Sequence, residues 1–166
     1  MRRTSFAVSA LLGVAVFAAG PRSVEAQMTV GPSLAFHDDA DFGVGATFGM
    51  PLAALGEGFG LMLDFLYFFP EGNIDYFEIN GNVTYDFPLE SSTVVPFVLG
   101  GLNIARASAS AFGVSASATE VGLNLGGGIA FDAGNFRPNV AAKFEVSGGE
   151  ALVVWVTLPF AVGGDN

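Results

Sequence analysis

Between residues 41 and 50 the chain reads DFGVGATFGM. Phe42, Val44, Ala46, Phe48 and Met50 fall on one face of an extended backbone, and Asp41, Gly43, Gly45, Thr47 and Gly49 fall on the other. Alternation with period two over ten residues specifies a β-strand, because successive side chains of an extended chain point to opposite sides. The second face is what constrains the fold. A strand on the skin of a water-soluble protein shows Lys, Glu or Thr to the solvent, whereas this one shows mostly glycine. Each strand glycine costs roughly 0.5–1 kcal/mol relative to alanine. A crowded interior repays that cost and a solvated surface does not, so the sequence assigns the glycine face to the inside and the apolar face to the outside.

The pattern returns seven times. Val30, Pro32, Leu34 and Phe36 alternate with Gly31, Ser33, Ala35 and His37; Phe59, Leu61, Leu63, Phe65 and Tyr67 alternate with Gly60, Met62, Asp64 and Leu66. Phe77, Ile79, Val83, Tyr85 and Phe87 alternate with Glu78, Asn80, Asn82, Thr84 and Asp86. In 94–104 the alternation is less clean, and Val95, Phe97 and Leu99 are assigned to the outward face. Val121, Leu123, Leu125, Ile129 and Phe131 oppose Glu120, Asn124 and three glycines; Val140, Ala142, Phe144 and Val146 oppose Arg137, Asn139, Lys143 and Glu145; Leu152, Val154, Val156, Leu158 and Phe160 form the last outward stripe. Turn-forming residues separate most segments, as in HDDA at 37–40, PEGN at 70–73, PLESS at 88–92, DAGN at 132–135 and SGGE at 147–150. Two links are longer: 51–58, and the small-residue stretch 105–119, which is expected as a loop. Eight consecutive strands with short links predict an antiparallel up-and-down meander.

Charge identifies the solvent. Residues 1–26 have a basic start (Met1, Arg2, Arg3), a fourteen-residue apolar run at 6–19 and small residues at Val24 and Ala26 before Gln27. This is the three-part pattern of a cleavable signal peptide, and the run is short of the roughly 18–20 residues of a helical membrane span. The remaining domain, 27–166, holds three basic residues (Arg106, Arg137, Lys143) against fifteen acidic ones, a net charge of −12. That balance excludes nucleic acid as a partner, since phosphate neutralisation needs clustered Lys and Arg. Only 13% of the chain is charged, about half the usual share of soluble domains, too little to coat a water-facing surface. No cysteine is present, so no disulfide holds this exported chain.

An eight-stranded transmembrane β-barrel satisfies all of this: apolar side chains face lipid, and small or polar ones fill a lumen barely wide enough for side chains. The aromatics agree. With Gln27 placed in the periplasm, Phe59, Tyr85, Phe87, Phe97, Phe131 and Phe160 gather at the periplasmic rim, and Phe36, Phe42, Tyr67, Phe69, Phe77 and Phe144 at the outer rim. Two girdles flanking an aliphatic band are expected of a membrane barrel.

Two phrases resemble the small bacterial outer-membrane β-barrel family that includes the OmpA membrane domain and OmpX. VPFVLGGLNIA at 95–105 is similar to the family's fifth strand, and GGGIAFDAGNFRPNVAAKFEV at 126–146 to its sixth hairpin. The resemblance spans 27–162. It implies a monomer in the bacterial outer membrane, in contact with lipid and lipopolysaccharide and delivered by periplasmic chaperones and the barrel-insertion machinery. It implies a structural, envelope-integrity or surface-interaction role. The chain departs from the pattern in ending AVGGDN after Phe160, and its short outer links, 105–119 apart, speak against an adhesin.

Inward Asp64, Glu78, Asp86, Glu120 and Glu145 facing Arg137 and Lys143 admit two readings, a catalytic carboxylate set or a lumen ion-pair network. Buried charge must be paired, so the network is expected, with Arg137 and Lys143 as central bridges plugging the lumen. His37, in an Asp-rich turn, is read as solvated, and HDDAD lacks the spacing of a calcium loop. No catalytic residue, cofactor or metal is assigned. A narrow channel for small solutes or ions and a lipid-modifying enzyme are the alternative functions.

Overall fold

The computed structural model describes residues 28–162 apart from 88, 90–92, 112, 113 and 148. The leader expected at 1–26, most of the 88–92 turn and the last four residues lie outside the described residues. The strands are β1 (Met28–His37), β2 (Asp41–Pro51), β3 (Phe59–Phe68), β4 (Ile74–Asp86), β5 (Val94–Ala111), β6 (Val114–Phe131), β7 (Asn139–Ser147), β8 (Gly149–Thr157) and β9 (Phe160–Val162), with one 3₁₀ turn at Ala53–Leu55. Each pairs antiparallel with its neighbour, and β1 closes the sheet by pairing with β2 on one side and with β8 and β9 on the other.

β8 and β9 are one barrel strand. Ser33 opposes Thr157 and Val30 opposes Phe160 in unbroken register. The interruption falls where Pro32 and Pro159 lie, two residues with no N–H to give the ladder. The barrel therefore has eight strands. We call the end where β1 meets β2 the upper rim, and the end where β1 begins and β9 stops the lower rim. Tight reversals use residues that tolerate the left-handed region: Asp41 (φ 61°) after HDDA and Gly72 (φ 90°) in PEGN.

The faces are inverted relative to a soluble barrel. Leu34, Phe36, Phe42, Phe65, Leu102, Leu123 and Phe144 are exposed, while Asp64, Glu78, Lys143 and Glu145 are buried. The glycine face of β2 now has a cause. Gly43 opposes Phe68 and Gly45 opposes Leu66 on β3; a Cβ on Gly43 would lie 2.6 Å from the Phe68 ring, and one on Gly45 2.8 Å from the Leu66 side chain. Phe68 and Leu66 are both buried in the lumen.

Two expectations are corrected. Val95, Phe97 and Leu99 face the lumen, not the lipid, and Phe97 leaves the lower girdle. Both faces of β5 are apolar, so alternation alone does not orient it. Strand pairing does: Phe97 opposes Gly128 and Leu99 opposes Gly126, on the face of β6 that also carries buried Asn124. The other eleven girdle aromatics lie in the outward phase, with Phe36, Phe42, Phe69 and Phe144 exposed toward the upper rim and Phe87, Phe131 and Phe160 toward the lower. Second, 105–111 and 114–119, expected within a loop, are strand. β5 and β6 run eighteen residues each and stay paired to Ala111–Val114. Ser-Ala alternation carries too little hydropathy contrast to read as a strand, and backbone pairing decides it.

Candidate functional site in the barrel lumen

The lumen is sealed at mid-height by polar side chains projecting from all eight barrel strands. Lys143 (β7) is 1% exposed, and its ammonium donates to Glu78 Oε2 (3.1 Å) and Asn80 Oδ1 (2.6 Å) on β4. It also touches Glu145 two residues along its own strand. Strand alternation explains this grouping: 143 and 145, like 78, 80 and 82, share a face. Asn103 (β5) donates to Glu145 Oε2 at 2.7 Å, and Asn124 (β6) bridges Asn80 Oδ1 (3.0 Å) and Asn82 Oδ1 (2.9 Å). Asn82 leads to Asp64 (3.4 Å), and Thr47 donates to Asp64 Oδ1 at 2.6 Å. Ser33 completes the chain at 2.8 Å from Thr47 and 3.0 Å from Thr157, which itself lies 3.3 Å from Thr47.

His37 is buried, not solvated, at the top of this network. Its Nε2 lies 3.5 Å from Glu78 Oε1, its Nδ1 accepts the Asp39 N–H at 3.0 Å, and Phe68 and Tyr76 meet its ring edge-on. It occupies an inward position of β1, in phase with Ser33 and Ala35, a signal the Asp-rich turn beside it masked.

Of the charged residues singled out from sequence, the structure brings Glu78, Lys143 and Glu145 together, with Asp64 joined through Asn82. It places the rest elsewhere. Arg137 is not a central bridge: it pairs with Asp86 at 2.7 Å, half-buried toward the lower rim. Glu120 is exposed and lines the upper mouth. Sequence reasoning did not single out the asparagines, yet Asn80, Asn82, Asn103 and Asn124 are the links between the charges. Trp155, also buried in the lumen, was likewise not placed.

A cavity lies on each side of the seal. The upper one, about 290 Å³, is lined by His37, Tyr76, Glu120 and Glu145 among small apolar residues. The lower, about 240 Å³, is lined by Met62, Asp86, Phe97 and Arg137. Between them Glu78, Asn82 and Asn103 are 0% exposed, so no water-sized passage joins the two cavities past them.

No protein-family model matches the sequence, and no curated protein matches it. Solved structures do. The N-terminal β-barrel domain of Pseudomonas aeruginosa OprF superposes with a TM-score of 0.68 at 12% identity, over 82% of this chain and 97% of that one. Ail, the attachment invasion locus protein of Yersinia pestis, gives 0.63 at 17% identity, over 82% and 96%. Neisserial surface protein A gives 0.62 at 15% identity, over 82% and 95%. Closure in eight strands, apolar outside and polar inside, is common ground with the architecture expected from the sequence: the chain has the OmpA/OmpX-like fold of the small eight-stranded outer-membrane β-barrels.

Proposed function

We propose that this protein is an occluded, non-catalytic outer-membrane barrel that contributes to envelope integrity and offers a docking edge at the cell surface. The sealed lumen carries the first half of the reading. Side chains that are 0–1% exposed at mid-height leave no path for a solute, which disfavours the narrow-channel alternative. The outward apolar belt supports residence in hydrocarbon, the only solvent in which such a surface does not drive aggregation. His37 stands 3.5 Å from a carboxylate, accepts a backbone N–H and meets the rings of Phe68 and Tyr76, and none of these contacts is the Ser or Thr hydroxyl that acyl transfer would use.

The long hairpin supports the second half. β6 pairs with β7 only from Leu123 onward, so 114–122 present a strand edge with no partner on that side among the described residues. An exposed edge pairs readily with an extended polypeptide, which restores a surface-interaction role that short loops had argued against. Ail has been solved with sucrose octasulfate, a heparin analogue. A polyanion does not suit this chain, whose domain carries −12 and whose upper region has Arg106 as its basic residue. The monomeric state, the contacts with lipid and lipopolysaccharide and delivery by periplasmic chaperones and insertion machinery belong to the same proposal.

Reconstitution in planar bilayers tests it: no discrete conductance steps are expected from folded, heat-modifiable protein. Regular single-channel steps abolished by a bulkier lumen residue would replace this reading with the channel.

A further inference from the structure

Within the sealed network one cluster is incomplete. His37 Nε2, Glu78 Oε1 and Glu145 Oε1 form no hydrogen bond, although all three residues are at least 97% buried. Glu145 Oε1 is held by the Lys143 ammonium alone, in an ion pair, and His37 Nε2 stands 3.5 Å from Glu78 Oε1. Buried polar atoms without a hydrogen bond cost about 1–3 kcal/mol each, more when charged, so His37 Nε2 and Glu78 Oε1, converging with the Glu145 oxygen, call for a ligand. One donor atom from each residue lies within 4.8 Å of the other two.

The charge balance points to the same ligand. The buried lumen holds three carboxyl groups (Asp64, Glu78, Glu145) against one ammonium (Lys143). Buried charge is tolerated only when compensated, and a divalent cation compensates such an excess of acidic groups. We propose that His37, Glu78 and Glu145 hold a divalent transition-metal ion at the floor of the upper cavity.

The donor set fixes the class of ion. One imidazole nitrogen and two carboxylate oxygens suit zinc and its first-row neighbours, whereas calcium and magnesium take oxygen ligands. Lys143 keeps its bonds to Glu78 Oε2 and Asn80 while Glu78 Oε1 turns to the metal. Metal on Nε2 requires the proton on Nδ1. The Asp38 carboxylate lies 3.5 Å from Nδ1, oriented by the Leu152 N–H at 3.0 Å, and can accept that proton's hydrogen bond in place of the Asp39 N–H contact. This is the carboxylate–histidine pairing that usually backs a metal-bound imidazole. Entry is from above: His37 and Glu145 line the upper cavity, and Glu120 and Asp39 in its wall attract cations.

The test is titration of folded, EDTA-stripped protein with cobalt(II), read by visible absorption, followed by zinc(II) competition. One cobalt per chain is expected, displaced by zinc and not by excess calcium or magnesium. His37→Gln and Glu145→Gln should each weaken binding at least tenfold, and Asp38→Asn about 10- to 100-fold. Heat-modifiable mobility checks that each variant is folded, and if one misfolds the other two carry the comparison. Equal cobalt binding by wild type and a folded His37→Gln, or ready displacement of zinc by calcium, overturns the proposal. The outcome is independent of whether the barrel conducts.

Discussion

Replacing Lys143 by methionine keeps an unbranched side chain one atom shorter and removes its charge. Lys143 is 1% exposed, bonded to Glu78 and Asn80 and in contact with Glu145. Without it, two buried carboxylates face each other with no cation of the protein's own between them. Breaking one partner of a buried ion pair costs about 3–5 kcal/mol, a factor of roughly 10² to 10⁴ in the folding constant. Arg137 supplies the contrast. Its pair with Asp86 is short, 2.7 Å, but the side chains are 35% and 26% exposed, and a partly solvated pair is worth about 0.2–1 kcal/mol. Reversible urea unfolding in lipid vesicles separates the two, with Trp155 as reporter because it is the only tryptophan and lies 2% exposed in the lumen. EDTA should be present so that metal does not mask the loss. Adding Glu78→Gln to Lys143→Met should recover part of the stability, since removing both charges relieves the uncompensated one. A Lys143→Met variant within 1 kcal/mol of wild type, or an Arg137→Met variant equally damaged, refutes the placement of Lys143 at the centre of the seal.

Other perturbations follow from the two faces. Gly45→Ala should destabilise by about 1–3 kcal/mol, as overpacking does, because its Cβ meets the Leu66 side chain and the Phe65 carbonyl; Gly81→Ala, whose nearest neighbour is 3.6 Å away, should be neutral or stabilise by up to about 1 kcal/mol, both read by urea unfolding. Phe97→Ala should cost about 3–5 kcal/mol as a buried aromatic truncation; a loss under 1 kcal/mol would return Phe97 to the lipid face. Leu125→Arg places a cation on an outward position that is 70% exposed and should cost about 2–4 kcal/mol in a bilayer if it lies near the midplane. Shortening the hairpin by excising 107–118 should leave folded mobility intact, because its pairing beyond the barrel supports only itself and the start of β4.

The fold was largely legible in the sequence because a period-two pattern with apolar and small faces admits few solvents. Seven strands oriented themselves that way. β5 did not, since Val95, Phe97 and Leu99 compete with Val98, Leu102 and Ile104 for the same description. Its orientation follows from its register with β6, which sets Phe97 and Leu99 opposite inward Gly128 and Gly126, a pairing visible only in three dimensions. The candidate site was legible as a set of inward charges and illegible as a network. Sequence spacing places Glu78, Lys143 and Glu145 on inward faces, but barrel closure, through strand register, decides that Lys143 meets Glu78 while Arg137 stays near the lower rim. The linking asparagines carry no charge and so gave no signal. His37 was read from its acidic neighbours, whereas its strand phase determined its burial.

The central claim is the inversion: apolar face to lipid, polar face to a sealed lumen. The absence of cysteine in the chain makes single-site labelling clean. Spin labels placed one at a time on Leu123, Asn124 and Leu125 of β6, with the protein in lipid vesicles, measure the claim directly through collision with oxygen, which partitions into lipid, and with a water-soluble nickel complex. Labels at 123 and 125 should collide with oxygen, and a label at 124 should be shielded from both quenchers. Strong nickel access at 124 would mean an open aqueous lumen, and oxygen access at 124 with nickel access at 123 and 125 would mean that the faces are assigned the wrong way round.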